Sequence, residues 1–538
     1  VTILASVPPA WLQEAAQQPL SPTVLEAGAI LAGVRFSAAE VLQMQRAVAE
    51  NAAGYARLQA LGLPHELASP LVFQPLLPGR SIAAAKLELV LPAAPAVVRP
   101  VEDEDLAFLS LAELAVLVKT RQVSSVDLVR LCLARCRRLD ERLRFVVNLL
   151  EEQALGEAAA LDAELAAGRW RGPLHGIPYG AKDLLSARGA PTTWGSSLHE
   201  QRVIDADATV VERLRAAGAV LLAKTSLGEF AYGDLWHGGR TRNPWDPEQG
   251  SSGSSAGSAA AVACGALPFA IGSETLGSIV SPSATCGASG LRPTFGAVSR
   301  HGAMCLSSSM DKIGPIARGL DDCALVFDAI RGPDGKDSSV VSASFVRGRA
   351  VDFSHLVVGY PRGAFDEAPG HGHVLDQLRA MGAEVRPVDL DFGVPLGDLL
   401  VVLVVEAASQ FDELTRSGDD DALVWQDEAA WPNTFRAARL VPAVEYLRAQ
   451  RLRTRVMQRM AELHDEVDIL VHPSFAGDLL LATNLAGHPA ACLPDGFDAR
   501  GLPRSITFSG PLFGESDLVA LASAWQSRHG ALPRPPVR

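Results

Sequence analysis

With 538 residues, 48% of them apolar and 20% charged, the chain can bury a large core and is neither a disordered nor a fibrous sequence. A formal net charge of −13 argues against non-specific nucleic-acid binding, which needs a basic surface to displace counterions from phosphates. No apolar run approaches the roughly 20 residues that span a bilayer, so neither nucleic acid nor membrane is an expected partner.

Val1 to Pro9 lacks a basic stretch followed by an apolar core, and no signal peptide is expected there. Seven scattered cysteines, an odd number, argue against a disulfide framework and point to a reducing, cytoplasmic setting. Ser37 with Glu40 makes a capping-box pattern, and Val41, Met44, Val48, Ala52, Tyr55 and Leu58 continue at helical spacing. The Pro/Ala-rich segment Leu91 to Pro100 reads as a semi-rigid connector. The expected organisation is a helical N-terminal extension and linker over 1–100, followed by one catalytic domain over 101–538. Residues 1–100 carry no recognisable chemistry and read as a docking or oligomerisation element, a homodimer contact being one form of it.

Ser110 with Glu113 and Ser124 with Asp127 mark two further helix starts. In the second helix Val129, Cys132, Leu133 and Cys136 form a buried stripe, which predicts cysteines packed in the core rather than on a metal. Arg121, Arg130, Arg135, Arg137, Arg138, Arg142 and Arg144 are expected on solvated helix faces. Further on, candidate strands at Val220–Ala223, Leu267–Ile271, Leu356–Tyr360, Ile469–His472 and Ile506–Phe508 alternate with candidate helices at Asp207–Ala217, Asp321–Ile330 and Ala443–Asp465. Leu399 to Val405, the longest apolar run, reads as a buried strand or helix. Such alternation favours an α/β layered sandwich. His371 and His373 lack a matched third ligand and are expected at the surface.

Three segments carry candidate chemistry. Gly176-Ile-Pro-Tyr-Gly-Ala-Lys182-Asp183 ends a Gly/Pro-rich, mostly apolar stretch, where burial of Lys182 would lower its pKa as a general base requires. Most lysines are surface ammonium groups, and that alternative stays open on residues alone. Gly250-Ser-Ser-Gly-Ser-Ser-Ala-Gly-Ser258 has the composition of a flexible linker. However, it enters an Ala-rich helix, a strand and a second turn, Gly272-Ser-Glu-Thr-Leu-Gly-Ser278-Ile-Val-Ser-Pro282. Gly-rich turns let backbone N–H groups approach a substrate closely, and two of them bracketing a helix and strand suggest a catalytic centre.

Together these segments resemble the amidase signature family, whose hallmarks are G-I-P-x-x-x-K-D, G-G-S-S-G-G-S and G-S-D-x-G-G-S-I. The similarity runs from about Leu106 to Phe513. It takes in Asn243-Pro-Trp-Asp246, Cys286-Gly-Ala-Ser-Gly-Leu-Arg-Pro-Thr294, Ser309-Met-Asp-Lys-Ile-Gly-Pro315 and Asn484-Leu-Ala-Gly-His-Pro489. The resemblance implies an α/β/α sandwich around a large mixed β-sheet. It also implies hydrolysis of a small-molecule amide with no metal or organic cofactor. By it, Lys182 is the base, Ser254 a proton-relay serine preceded by a cis peptide bond, and Ser278 the nucleophile. The backbone N–H groups of Thr275, Leu276, Gly277 and Ser278 would form the oxyanion hole, with Ser255 in support. A serine so activated would form an acyl-enzyme, and esters or carbamates could follow the same path.

Several positions depart from the family pattern. Ser252-Gly253 stands for a Gly-Gly pair, Ala256 for a glycine, Glu274 for a common Asp, Leu276 for a glycine and Val280 for a frequent Arg. Leu276 beside the oxyanion turn leads to an expected preference for apolar or aromatic amides over small polar ones. Two other functions compete with a stand-alone amidase. One is the glutaminase, ammonia-delivering A subunit of a tRNA-dependent amidotransferase; the other is a catalytically silent scaffold.

Overall fold

The structure is a computed structural model that describes residues 21–65, 67–82, 96–347, 352–529 and 532–537. The expectations for Val1 to Pro9 and for residues 91–95 of the connector lie outside the described residues. Near the N-terminus, helices Pro22–Leu31 and Ala38–Gln59 precede an irregular segment. The second begins at a complete capping box in which Ser37 N–H donates to Glu40 Oε2 at 2.6 Å. The boxes at Ser110/Glu113 and Ser124/Asp127 are also formed, starting helices Leu111–Lys119 and Ser125–Leu143.

In chain order the strands are β1 (Val146–Leu149), β2 (Pro178–Lys182), β3 (Val220–Thr225), β4 (Leu235–Trp236), β5 (Gly239–Arg240), β6 (Phe269–Glu274), β7 (Ser289–Arg292), β8 (Lys312–Ala317), β9 (Val357–Pro361), β10 (Glu384–Val388), β11 (Ile469–Pro473), β12 (Ala490–Phe497) and β13 (Pro503–Ser509). Eleven of them form one sheet in the order β1-β3-β2-β6-β8-β7-β12-β13-β11-β9-β10, while β4 and β5 make a separate ribbon. The large sheet is mixed. β2 runs parallel to both β3 and β6, and β9 parallel to β10 and β11, whereas β6, β8, β7, β12, β13 and β11 pair antiparallel in turn.

Alternation along the strands divides the core between the two faces. On β3, Val220 and Leu222 pack with the cysteine-bearing helix and the Ala-rich helix Ala256–Ala263, while Leu221 joins the larger cluster opposite. On β6, Ala270 goes one way and Phe269 and Ile271 the other. Helices therefore cover both faces, which is the α/β/α arrangement expected from the sequence. Cys132 and Cys136 are buried in the first of these clusters. Among the described residues no helix is long and apolar enough to cross a membrane.

Three expectations are corrected. Arg135 is buried, not solvated: its guanidinium donates to the carbonyls of Gly265 at 2.7 Å and Cys264 at 2.8 Å and pairs with Glu104. Its long stem packs while its charge is met by carbonyls, which a count of charges along a helix does not reveal. His371 is also buried. It and His373 hold the two oxygens of Asp495 at 2.6 and 2.7 Å, a partner remote in sequence. The strand expected to begin at Leu267 begins at Phe269, because Pro268 cannot donate to the ladder. The apolar run from Leu399 leads into helix Val401–Gln410.

Candidate active site

The candidate site lies at the carboxyl ends of the neighbouring parallel strands β2 and β6, where open α/β sheets commonly bind ligands. Lys182 is the last residue of β2 and has no solvent exposure. Its Nζ lies 2.7 Å from Ser254 Oγ, 3.1 Å from Ser255 Oγ, 2.9 Å from Ser273 Oγ and 3.3 Å from the Ser273 carbonyl. Burial lowers the Lys182 pKa to about 7, against the opposing pull of Asp311 and Glu274. A lysine so placed exchanges protons near neutrality.

The two serine-bearing turns meet at this lysine. Ser254 follows a cis peptide bond from Gly253, and Ser255 is the N-cap of helix Ala256–Ala263. That helix consists of small residues, all buried against the sheet. Ser255 Oγ accepts from Ser273 N–H at 3.1 Å and donates to the Ser273 carbonyl, also at 3.1 Å. A Cβ on Gly272 would stand 2.7 Å from Ser255 Oγ, so this approach of the turns requires glycine.

Ser278 is attached to the group through its backbone: its carbonyl accepts from Ser255 N–H at 3.1 Å. Among the described residues no hydrogen bond joins the Ser254 and Ser278 hydroxyls. Among those residues the N–H groups of Leu276, Gly277 and Ser278 donate to no backbone or side-chain acceptor. Gly277 sits at φ +79°, a left-handed conformation that favours glycine. Thr275 is differently engaged: its hydroxyl donates to Asp311 at 2.6 Å and its carbonyl accepts from Lys312 Nζ at 3.3 Å. Leu276 is half-buried.

Glu274 anchors the turn between these residues. One carboxylate oxygen accepts from Ile279 N–H at 2.8 Å and Val280 N–H at 3.0 Å, just past Ser278. The other takes Arg292 Nη1 at 2.7 Å and Asn484 Nδ2 at 2.8 Å, and Asn484 Oδ1 in turn accepts from Lys312 at 2.7 Å. Burial alone would raise the Glu274 carboxyl, but Arg292 and Lys312 bring it down to about 2. Beside Lys182, the next residue does a different job. Asp183 pairs with Lys224 Nζ at 2.6 Å, both fully buried, and its second oxygen accepts from Thr193 N–H at 2.8 Å.

A cavity of about 150 Å³ opens beside the lysine end of this site. Ser273, Thr275, Asp311 and Lys312 line it together with Leu184, Met304 and Ile313, and residues of the N-terminal segment, including Leu67, Leu71 and Val72, supply another part of the wall. Lys182, Ser254 and Ser278 are not themselves wall residues. They adjoin the cavity through Ser273, which bonds the lysine.

The structure thus brings Lys182, Ser254 and Ser255 into direct contact and holds Ser278 against them through its main chain. Sequence reasoning missed Ser273, although it stands in the quoted second turn. The polar anchoring of Glu274 by Arg292 and Asn484 was also missed, although both lie in segments that carried the family resemblance. Among the described residues no cluster of histidine, cysteine and carboxylate groups is arranged to hold a metal ion.

Residues 127–480 match the sequence profile of the family described as Amidase. The chain is 34% identical over 468 residues to the A subunit of glutamyl-tRNA(Gln) amidotransferase from Methylococcus capsulatus, covering 78% of this chain and 96% of that protein. Among solved structures it is similar to the native peptide amidase of Stenotrophomonas maltophilia, with a TM-score of 0.71, 32% identity and coverage of 80% and 99% of the two chains. The corresponding glutamyl-tRNA(Gln) amidotransferase chain of Thermotoga maritima superimposes with a TM-score of 0.69 at 26% identity, over 82% of this chain and all of that one, 100%.

Proposed function

Because the chain belongs to the amidase family, we propose that it is a hydrolase of linear amide C–N bonds that works through an acyl-enzyme on Ser278. The observation that carries this reading is the 2.7 Å contact of a buried lysine, its pKa near neutrality, with a serine hydroxyl. An amide carbonyl is a poor electrophile and a serine hydroxyl a weak nucleophile until a base removes its proton.

In the proposed sequence neutral Lys182 takes the proton of Ser254 as Ser254 takes that of Ser278, whose hydroxyl comes within hydrogen-bond reach when substrate is bound. Ser278 Oγ attacks the carbonyl carbon, and the electron pair moves to the carbonyl oxygen. Backbone N–H groups of Thr275, Leu276, Gly277 and Ser278 form the oxyanion hole; in other hydrolases one such donor accounts for roughly 3 to 4 kcal/mol. The proton held on Lys182 returns through Ser254 to the departing nitrogen, the C–N bond breaks and the amine leaves. Water then attacks the ester carbonyl by the same relay, releasing the carboxylic acid and restoring Ser278. Ser255 and Ser273 orient the lysine. Half-buried Leu276 and the apolar part of the adjacent cavity's lining, Leu67, Leu71, Val72, Leu184, Met304 and Ile313, support a small-molecule substrate with an apolar or aromatic portion.

A second reading, the glutaminase component of an amidotransferase, is favoured by the 34% identity to such a protein. One experiment separates the two. Purified chain alone is given acetanilide or glutamine, with Ser278→Ala as the control. Aniline release that Ser278→Ala abolishes supports the stand-alone amidase. Turnover of glutamine equal to or faster than that of the anilide supports the glutaminase, and loss of neither activity in Ser278→Ala removes the Ser278 chemistry altogether.

A further inference from the structure

We infer that His65 and the N-terminal residues 67–72 are a wall of the substrate site and select amides carrying one compact apolar group, of benzene or branched-aliphatic size. The inference rests on the Ser278 reading above and adds to it the part of the chain that sets specificity. His65, Leu67, Ala68, Ser69, Leu71 and Val72 all line the cavity beside Ser273 and Thr275.

The segment is fastened at both ends. At one end Cys305 N–H donates to His65 Nε2 at 3.0 Å, and the His65 ring lies 4.6 Å from Trp194 and 5.4 Å from Phe411 between centroids. At the other, Phe73 meets Phe295 edge-on at 5.1 Å and carries the Arg453 guanidinium over its face at 3.7 Å. Pro75 is buried just beyond, and Arg80 grips both oxygens of Asp465 at 2.6 and 2.7 Å. Between these anchors Leu67, Leu71 and Val72 remain 64%, 79% and 45% exposed while lining the cavity. A strap pinned on both sides, with unburied apolar side chains along a cavity, gains by covering an apolar ligand.

Charge and size narrow the ligand. Arg300 is matched by Asp337 at 3.0 Å, Lys336 by Glu212 at 3.0 Å and Lys312 by Asn484 at 2.7 Å. Asp311 accepts from Thr275, Leu306 and Ser307 at 2.6, 2.7 and 3.0 Å. The charged groups of the lining are thus already engaged, which disfavours a zwitterion such as glutamine. A cavity of about 150 Å³ holds one benzene-sized group.

The test uses the full chain, with acetamide, benzamide (ring on the acyl side) and acetanilide (ring on the amine side). The ratio of kcat/KM for the better ring-bearing amide to that for acetamide should fall at least tenfold in Leu71→Trp and in Leu67→Trp, which put a larger side chain on the cavity wall. Benzamide or acetanilide binding to Ser278→Ala, followed by calorimetry, should weaken at least tenfold when Leu71→Trp is added. Should a tryptophan variant not fold, Arg80→Ala, which unfastens the strap at its surface end, must lower the same ratio. An unchanged ratio with unchanged binding overturns the wall while leaving the Ser278 reading intact. Ring-amide binding that Leu71→Trp abolishes, in a wild type that hydrolyses nothing, upholds the wall and overturns the Ser278 reading. Failure of wild type and Ser278→Ala to bind either ring amide overturns the wall.

Discussion

Arg292 Nη1 lies 2.7 Å from Glu274 Oε1, and neither side chain has any exposure to solvent. Removing one partner of such a pair leaves the other charge buried and uncompensated, at a cost of roughly 3 to 5 kcal/mol. Glu274→Gln should therefore lower stability by about that amount near pH 7, measured by urea unfolding. The sign of its pH dependence follows from the depressed carboxyl. Its stabilising effect is complete above the ordinary value of 4.5 and is lost as pH falls toward about 2, so wild type and variant should converge in that interval. Because the same carboxylate holds the N–H groups of Ile279 and Val280, kcat should fall as well.

The proposed role of Lys182 predicts a pH-dependent activity. A lysine acting as base must be neutral, so kcat/KM should rise with pH through a midpoint near 7. The unfolded chain keeps this ammonium protonated up to about its ordinary value of 10.5, so unfolding between about 7 and 10.5 takes up a proton. Stability associated with Lys182 is therefore gained as pH rises through that window and lost as it falls. Lys182→Met should abolish amide turnover and flatten that component of the stability profile. Lys224 and Lys312 are also lowered by burial and contribute with the same sign, so the difference between wild type and variant is the quantity to measure.

In the proposed mechanism Ser273 is a positioning residue, through its 2.9 Å contact with Lys182 Nζ. An oxygen there accepts a hydrogen bond from the ammonium and so favours the charged form. Ser273→Ala should reduce kcat by about three- to tenfold, in keeping with one hydrogen bond of about 1 kcal/mol. It should also move the acid limb of the pH profile to lower pH. A drop in kcat with the acid limb unmoved would assign Ser273 a packing role only.

Asp183, although adjacent to Lys182, belongs to the framework. Asp183→Asn leaves Lys224 buried without its counter-charge and should cost roughly 3 to 5 kcal/mol in unfolding free energy. The pH midpoint of residual activity near 7 should stay where it is, since Lys182 keeps its own partners. A shifted midpoint would place Asp183 in the proton relay.

Much of the fold was legible because local patterns report local structure. The capping serines, the cysteine stripe and the strands at Val220, Ile469 and Ile506 appear where their residues place them. Of the large sheet's strands, β1, β2, β7, β8, β10 and β12 were not singled out. β1 is half-buried throughout, and β7 and β8 are four and six residues long with glycine inside both, so their hydrophobic signal is weak. Arg135 and His371 were misplaced because the groups that make their burial tolerable, Gly265, Cys264 and Asp495, are far away in sequence.

By itself the sequence determined the class of fold and the residue types at the candidate site: a lysine, a serine tract and a second Ser-bearing Gly-rich turn. Chemistry of that kind is written in motifs, since residue identity and spacing within a turn need no distant partner. Only the tertiary structure decided which hydroxyls reach Lys182, that its ammonium is desolvated, and that Glu274 rather than Asp183 steadies the Ser278 turn. It alone brought His65, Leu67, Leu71 and Val72 beside Ser273. Those outcomes depend on contacts between segments from 18 to 210 positions apart, whose geometry is set by the sheet order and the packing of two helical layers, not by any local run of residues.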